Sequence, residues 1–189
     1  MTIFLVRHGE TEWNRSRRYQ GWSDSPLTPR GEAQAAAVGR RLSTLPEAAA
    51  AAIVASPLGR ARRTAEIIAA QLGRLSPPHL DDRLREISIG GWDGLGRAEI
   101  MALMGASFVE FDWYFETPDG ESYEVFAGRI AAWLADHGET PVIAVCHGVV
   151  TRVMRGLYAG LPRHDALRLE VPQDRIFRLQ AGIIEEIAV

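Results

Sequence analysis

Short apolar runs alternate along the chain with stretches in which apolar residues recur at helical spacing. The nearly continuous apolar runs predict buried strands at 3–6, 52–55 and 141–146. Helical spacing predicts helices over 33–42, 60–72, 122–135 and a segment that begins near residue 150. Thr28 and Pro29 predict where the first of these helices starts, because Thr is a favoured N-cap and Pro suits the first helical position.

Alternation of strands and helices indicates an α/β fold. Strands that are apolar along their whole length are typical of a mostly parallel sheet covered on both faces. Residues 166–189 predict two or three further strands with a turn at Gly182, and the 189 residues suit a single domain, 1–189. The segment 87–121 fits the alternation poorly, because aromatic residues are mixed there with acidic ones. It is either an extra lobe over one end of the sheet or a rim of the core.

Polar residues of a similar kind follow each of the three predicted strands. The first strand is followed by Arg7 and His8, the second by a segment that reaches Arg60, and the third by His147 and Gly148. In open α/β sheets, ligands bind outside the carboxyl ends of the strands, so these residues are expected to converge. Arginine matches phosphate oxygens with planar paired donors, and helix N-termini attract anions. The pattern predicts a phosphate site.

The candidate nucleophiles are the two histidines, His8 and His147. The chain has no G-x-S-x-G elbow, no phosphate-binding P-loop and no lysine. Cys146 lies on the third predicted strand and is expected to face the core. A neutral imidazole attacks phosphorus without prior deprotonation, and a cationic pocket keeps it neutral. Glu86 is the best-placed carboxyl to protonate a leaving group if segment 87–121 covers the site; the alternative is a solvated glutamate.

Composition narrows the classes of partner. Hydrophobic residues make up 47% and charged residues 24% of the chain, and the formal net charge of −3 gives no general attraction to nucleic acid or membrane. The single cysteine excludes an internal disulfide. With no signal-like segment and no apolar stretch of about 20 residues, a cytoplasmic protein is expected. The expected partner is a small phosphorylated substrate, and a homodimer stays open.

No metal and no other cofactor are expected at the site. His8, His147 and Glu86 are residue types that bind metals, but Arg7 and Arg60 nearby would repel a cation. All 21 basic residues are arginines, so any cationic work on an anion falls to Arg or His.

Five ordered motifs resemble those of one known family. They are LVRHGETEWN at 5–14 with QGWSDSPLT at 20–28, SPLGRARRTA at 56–65, LRE at 84–86 with GGWDG at 90–94, GES at 120–122, and HG at 147–148 with Arg152. The chain thereby resembles the phosphoglycerate mutase-like branch of the histidine phosphatase superfamily, through residues 3 to 155.

The resemblance implies a three-layer α/β/α sandwich in which 87–121 forms a partial cap. It implies that His8 is phosphorylated and that Glu86 donates a proton and then activates water. The phosphate pocket would comprise Arg7, Arg60, His147 and the Gly148 backbone N–H. The residues lining the substrate pocket would be Asn14, Gln20 and Gly21.

Within this family the sequence favours a phosphatase over a mutase. Family mutases are longer, carry extra basic residues in the cap and have an Asn-Ser pair after the second His-Gly. Here segment 87–121 has Arg97 but is otherwise acidic, and Val149 and Val150 follow Gly148. With fewer cations to retain an anionic intermediate, water is expected to take the phosphoryl group. Phosphoglycerate mutase and a non-catalytic phospho-ligand-binding module are the alternatives, and the physiological phosphomonoester stays open.

Overall fold

The computed structural model, which describes residues 2–137 and 140–189, contains a six-stranded sheet. Its strands are β1 Thr2–Arg7, β2 Ala52–Ala55, β3 His79–Leu80, β4 Val142–Cys146, β5 Arg175–Gln180 and β6 Ile183–Ala188. They lie in the order β3-β2-β4-β1-β5-β6. The first four in that order pair in parallel, whereas β5 and β6 are antiparallel additions at one edge. The predicted mostly parallel sheet is confirmed.

Helices connect the strands. They are α1 Glu12–Arg15, α2 Pro29–Ser43, α3 Pro46–Ala49, α4 Gly59–Gln71, α5 Arg97–Met104, α6 Tyr123–Asp136, α7 Gly148–Ala159 and α8 Arg163–Ala166. Thr28 caps α2, since its side chain accepts the Gly31 N–H, and Pro29 occupies the first turn as predicted. Ser122 caps α6 in the same way through the Val125 N–H. The cap residues therefore define where these two helices begin.

Alternate residues of β1 belong to two separate hydrophobic clusters. Phe4 and Val6 pack with buried residues of α2 and α4, whereas Ile3 and Leu5 pack with those of α6 and α7. Successive side chains of a strand point to opposite faces, so the two helix pairs cover opposite faces of the sheet. The result is the three-layer sandwich implied by the resemblance. None of these helices, within the described residues, has both the length and the apolarity to cross a membrane.

Strand register brings three chain segments together at the carboxyl ends of the parallel strands. Arg7 lies beside Cys146 at the ends of β1 and β4. The pairing continues past the strands, because the His8 N–H donates to the Cys146 carbonyl at 3.0 Å. On the other side of β4, the Ser56 N–H donates to the Val145 carbonyl, also at 3.0 Å. His8, Ser56 and His147 therefore leave the sheet side by side.

Segment 87–121 contains α5 and several short 3-10 turns. Its residues Trp113, Tyr114 and Phe115 are buried in the same cluster as α6 and α7. Other residues of the segment, among them Ile89 and Phe111, line the cavity at the strand ends. The aromatic residues therefore divide between core packing and the cavity wall.

Candidate active site

His8 is held in one tautomer by its own backbone. The imidazole Nδ1 lies 2.8 Å from the Gly9 carbonyl oxygen, which can only accept, so Nδ1 carries the proton. A neutral ring then has its lone pair on Nε2. The side chain is 3% exposed and lines the cavity at the strand ends. His8 therefore presents an unprotonated ring nitrogen from a fixed position.

The loop after β1 is kept in place by close backbone packing. A Cβ atom on Gly9 would fall 2.2 Å from the Gly31 carbonyl oxygen, and one on Gly31 would fall 2.0 Å from that of Glu10. The Gly9 N–H donates to Thr64 Oγ1 at 3.1 Å, which ties the same loop to α4. Only glycine allows this approach, which fixes the direction in which the His8 ring leaves the backbone.

Electrostatics keep His8 neutral. Burial lowers its pKa well below the ordinary 6.5, and the charges of Arg60 and Arg7 lower it further, against a weaker opposing effect of the Gly9 hydrogen bond. A histidine that stays unprotonated is a competent nucleophile toward phosphorus at neutral pH.

Arg60 is anchored by backbone carbonyls on one side. Its Nη1 donates to the Ser23 carbonyl at 2.7 Å and to Asp24 Oδ1 at 3.1 Å, and its Nη2 donates to the Gly21 carbonyl at 2.8 Å. Arg7 is anchored similarly, through Nη1 to the Val171 carbonyl at 2.6 Å.

Both arginines retain donors that the protein does not use. The Nε atoms of Arg7 and Arg60 are buried and have no acceptor within residues 2–137 and 140–189. Burial lowers the pKa of each guanidinium, and the charge of Glu86 partly offsets this. Unused buried donors are costly unless a ligand accepts from them, and phosphoryl oxygens match them in charge and geometry.

His147 lies next to His8, with their ring centroids 5.2 Å apart and their planes 59° apart. It is fully buried, its Nε2 is 2.7 Å from Ser56 Oγ, and its Nδ1 has no partner among the described residues. Burial, followed by the charge of Arg60, lowers its pKa well below 6.5. His147 is therefore a buried neutral ring beside His8.

Glu86 lines the same cavity and contacts the N-terminus of α7. Its Oε2 accepts the Val149 N–H at 3.2 Å, and its Oε1 accepts the Ile87 N–H at 3.1 Å and the Val150 N–H at 3.4 Å. The carboxyl thus lies at the N-terminus of α7, whose first backbone N–H groups have no partner within the helix. Gly148, the first residue of that helix, lines the same cavity.

The three predicted lining residues also face this cavity. Gly21 has φ +49°, and a Cβ there would fall 2.0 Å from Asp93 Oδ1, so the loop that anchors Arg60 requires glycine. The Gln20 side chain donates to Thr11 Oγ1 at 2.8 Å. Asn14 Oδ1 accepts the Thr11 N–H at 3.2 Å, as part of a capping box on α1.

The cavity has a volume of about 430 Å³. Its wall includes Arg7, His8, Arg60 and Glu86, and also the aromatic residues Tyr19, Phe111 and Tyr114 with several further arginines. Burial raises the pKa of Tyr114 to about 12, so its hydroxyl remains a neutral donor. The cavity wall is therefore both aromatic and cationic.

Three residues that support the site had no assigned role at the sequence level. Ser56 and Thr64 lie within the motif at 56–65, but the contact of Ser56 with His147 depends on strand register and that of Thr64 with Gly9 depends on the packing of α4. Gln173 lies in no motif; its Nε2 donates to the His8 carbonyl at 3.2 Å and to Asn14 Oδ1 at 3.1 Å. No sequence signal places Gln173 here, because it comes from a loop 165 residues away.

Cys146 is buried in the hydrophobic cluster, with its Sγ 3.5 Å from Thr151 Oγ1. Burial raises the pKa of the thiol to about 12, so the reactive thiolate is disfavoured. The histidines therefore remain the nucleophile candidates.

The sequence of the chain matches a known family and known proteins. The family model of the histidine phosphatase superfamily (branch 1) matches residues 3–182. Over 192 residues the chain is 39% identical to a probable phosphoglycerate mutase GpmB from Citrobacter koseri, covering 95% of this chain and 84% of that protein.

Solved structures show the same fold. YhfR from Bacillus stearothermophilus has a TM-score of 0.82 and 34% identity, with 99% of this chain and 95% of that chain covered. A mycobacterial glucosyl-3-phosphoglycerate phosphatase, solved with VO3, has a TM-score of 0.77 and 27% identity, with 99% and 96% covered. The protein described here belongs to the histidine phosphatase superfamily, branch 1.

Proposed function

We propose that this chain is a phosphomonoester phosphatase that acts through a phosphohistidine formed at His8. The observation that carries the proposal is the tautomer of His8, whose Nδ1 proton is committed to the Gly9 carbonyl while burial and two arginines keep the ring neutral. Nε2 is then a ready nucleophile that needs no base to activate it.

In the first step, Nε2 of His8 attacks phosphorus, the N–P bond forms and the bond from phosphorus to the ester oxygen breaks. The proton of the Glu86 carboxyl goes to the departing oxygen, so the product leaves as a neutral alcohol. Arg7, Arg60 and His147 stabilise charge on the three remaining phosphoryl oxygens. The carboxylate left on Glu86 is held by the Val149 N–H.

In the second step, water attacks the phosphohistidine and gives its proton to Glu86. The P–N bond breaks, inorganic phosphate forms, and His8 returns to its neutral state. One carboxyl group serves both steps, since it is ionised after the first and protonated after the second. The two steps therefore restore the enzyme completely.

Two features of the site support hydrolysis over mutase chemistry. The only arginine that segment 87–121 contributes to the described cavity wall, Arg97, is paired with Glu110 at 2.6 Å. Val149 and Val150 are buried and offer backbone N–H groups to Glu86, with no side-chain donor for a substrate. A mutase must retain a strongly anionic intermediate between its two transfers, and segment 87–121 adds no unpaired cation to the arginines that other segments supply to the cavity wall, which are Arg7, Arg17, Arg18, Arg60 and Arg152.

We further propose that catalysis needs no metal ion. Within the described parts of the chain, no three His, Cys, Asp or Glu side chains come together as a metal-binding group. The support for the proposal is the positive charge of Arg7 and Arg60, which serves the phosphoryl oxygens as a Lewis acid does elsewhere.

The test follows both reactions in one mixture. The enzyme is given 3-phosphoglycerate with a trace of 2,3-bisphosphoglycerate, and phosphate release and 2-phosphoglycerate formation are measured together. A panel of other phosphomonoesters is assayed for phosphate in parallel, with His8→Asn as the inactive control. We expect phosphate release from at least one ester to exceed isomerisation by a factor of about ten or more. Dominant isomerisation would establish a mutase, and binding without turnover of any ester would establish a binding module.

A further inference from the structure

Arg129 lies outside the residues that line the catalytic cavity, yet it binds the backbone that carries Glu86. From α6, its Nη1 donates to the carbonyl oxygens of Arg83 at 2.6 Å and Arg85 at 2.8 Å. Its Nη2 donates to the carbonyl oxygen of Glu86 itself at 3.0 Å. One guanidinium thus holds three carbonyls within a span of four residues.

Glu121 holds this guanidinium in a fixed plane. Its two carboxylate oxygens accept from Arg129 Nε at 2.9 Å and from Nη2 at 3.0 Å. The Arg129 guanidinium also lies 4.5 Å over the ring of Phe126, which is fully buried. The side chains of Arg129 and Glu121 are only 15% and 14% exposed. A paired, bidentate and largely buried arginine has little freedom to reorient.

The same glutamate fixes the chain on the other side of Glu86. Glu121 Oε2 accepts the Ser88 N–H at 2.9 Å, and the Glu121 N–H donates to the Ser88 carbonyl at 2.9 Å. The backbone is therefore held before Glu86, at Glu86 and two residues after it. Trp22 adds a second donor to the Glu86 carbonyl, through Nε1 at 2.8 Å.

This degree of restraint matters because Glu86 must reach two different atoms. Its carboxyl has to lie within hydrogen-bond reach of the departing oxygen and later of the attacking water. The N–H groups of Val149 and Val150 guide the carboxyl only if the backbone of Glu86 keeps its distance from α7. Misplacement of a catalytic group by about 1 Å can cost about 10²-fold in rate.

We propose that Arg129, held by Glu121, is a positioning residue that fixes Glu86 for proton transfer. The inference rests on the proposed role of Glu86 as the acid and base. The charge of Arg129 also lowers the pKa of His147, after burial, Arg60 and His8, whereas its hydrogen bonds act on the backbone that carries Glu86. Loss of Arg129 is expected to impair the steps that need the proton of Glu86 and to spare binding of the phosphoryl group.

The test compares two esters under single-turnover conditions. An alkyl phosphate such as glycerol 3-phosphate expels a basic alkoxide and needs the acid, whereas p-nitrophenyl phosphate expels a weak base and hardly needs it. For Arg129→Met we expect phosphorylation by the alkyl ester to fall about 10- to 100-fold. With the nitrophenyl ester we expect the single-turnover rate to change by less than about threefold, with the substrate concentration that gives half the maximal rate little altered.

Two further variants separate positioning from general stability. Glu121→Gln keeps Arg129 but removes the charge that orients it, so it should show the same selective loss to a smaller extent, even if Arg129→Met fails to fold. The matched control is Arg74→Met, because Arg74 also donates to two backbone carbonyls, those of Ala49 and Ala51, but lies outside the residues that line the cavity. This control should slow neither ester.

Glu86→Gln is measured in the same assay, and it separates the positioning role of Arg129 from the acid role of Glu86. A selective loss for the alkyl ester in Glu86→Gln, Arg129→Met and Glu121→Gln supports the positioning role. A selective loss in Glu86→Gln alone, with equal losses or none in the other two, overturns the positioning role and leaves the proposed function intact. Absence of selectivity in Glu86→Gln itself removes the acid role of Glu86, and the inference about Arg129 with it.

Discussion

Ser56 Oγ lies 2.7 Å from Nε2 of His147, and this contact sets what His147 offers to a phosphoryl group. Ser56 Oγ also accepts the Leu58 N–H at 3.3 Å, which leaves its own hydrogen available to donate to Nε2. We infer that Ser56 donates this hydrogen to Nε2, so that the neutral imidazole carries its proton on Nδ1, the buried atom without a partner among the described residues. On this inference His8 offers a lone pair to the phosphoryl group and His147 offers an N–H.

Substitution Ser56→Ala tests this relationship. Without the hydroxyl, nothing selects the Nδ1–H tautomer of His147, and a hydrogen bond worth about 0.5–1.5 kcal/mol is lost. We expect kcat to fall roughly 2- to 12-fold, with KM for p-nitrophenyl phosphate changing less. Ser43→Ala is the control, because Ser43 is exposed and bonds only to the Arg40 carbonyl of its own helix. An unchanged kcat in Ser56→Ala would contradict the assignment.

Replacing Glu86 by Gln should separate the two chemical steps. The amide keeps the shape of the carboxyl but transfers no proton, so the overall rate with alkyl esters should fall by about 10² to 10⁴. With p-nitrophenyl phosphate the variant should release a burst of one mole of nitrophenol per mole of enzyme. Further release should then be slow, because no base is present to activate the water that hydrolyses the phosphohistidine. Rapid-quench measurement of both products checks this. Steady turnover without a burst would assign Glu86 another role.

Stability should depend on pH through the two buried histidines. The pKa values of His8 and His147 are held well below 6.5 in the folded protein, first by burial and then by Arg60. As pH falls below 6.5, these two histidines become protonated in the unfolded chain but stay neutral in the folded protein, so the free energy of unfolding decreases. Above 6.5 both states are neutral and this contribution disappears. Each histidine should contribute up to about 1.4 kcal/mol per pH unit.

Urea unfolding between pH 5 and pH 7 measures this dependence. The wild type should lose stability on acidification, and His8→Asn should lose it less steeply, by the share of one histidine. Equal pH dependence in the two proteins would show that His8 titrates normally in the folded state.

Metal independence has a direct test. Dialysis against EDTA should leave activity unchanged, since Arg7 and Arg60 supply the positive charge. Vanadate should inhibit, because its trigonal-bipyramidal form resembles the phosphoryl group in transfer. Loss of activity with EDTA, restored by zinc or magnesium, would contradict the proposal.

Much of the architecture could be predicted from local patterns. The strand β2 was predicted to the residue, because it is a continuous apolar run. The start of α2 was predicted from the N-cap residue Thr28 and from Pro29 after it. The two-residue strand β3 gave no such signal, since both of its residues are exposed. It is the outer strand of the sheet, where residues 79–80 lie beside β2 and pair with it.

The sequence names residues that the structure brings together at the strand ends, but it does not give their hydrogen bonds. Residues that follow apolar strands could be brought together by the rule for parallel sheets, which is why His8, Arg60 and His147 were named. The contacts of Gln173 and Arg129 could not be found, because each depends on how a distant segment packs. Such supports lie far along the chain from the groups they hold, and no spacing rule connects them.

The central claim is that His8 Nε2 carries the phosphoryl group. The most direct measurement mixes enzyme with ³²P-labelled substrate, quenches it in alkali within milliseconds and maps the label by peptide sequencing. We expect alkali-stable, acid-labile phosphate on His8, formed and lost as fast as turnover, and absent from His8→Asn. Label on another residue, or full activity in His8→Asn, would contradict it.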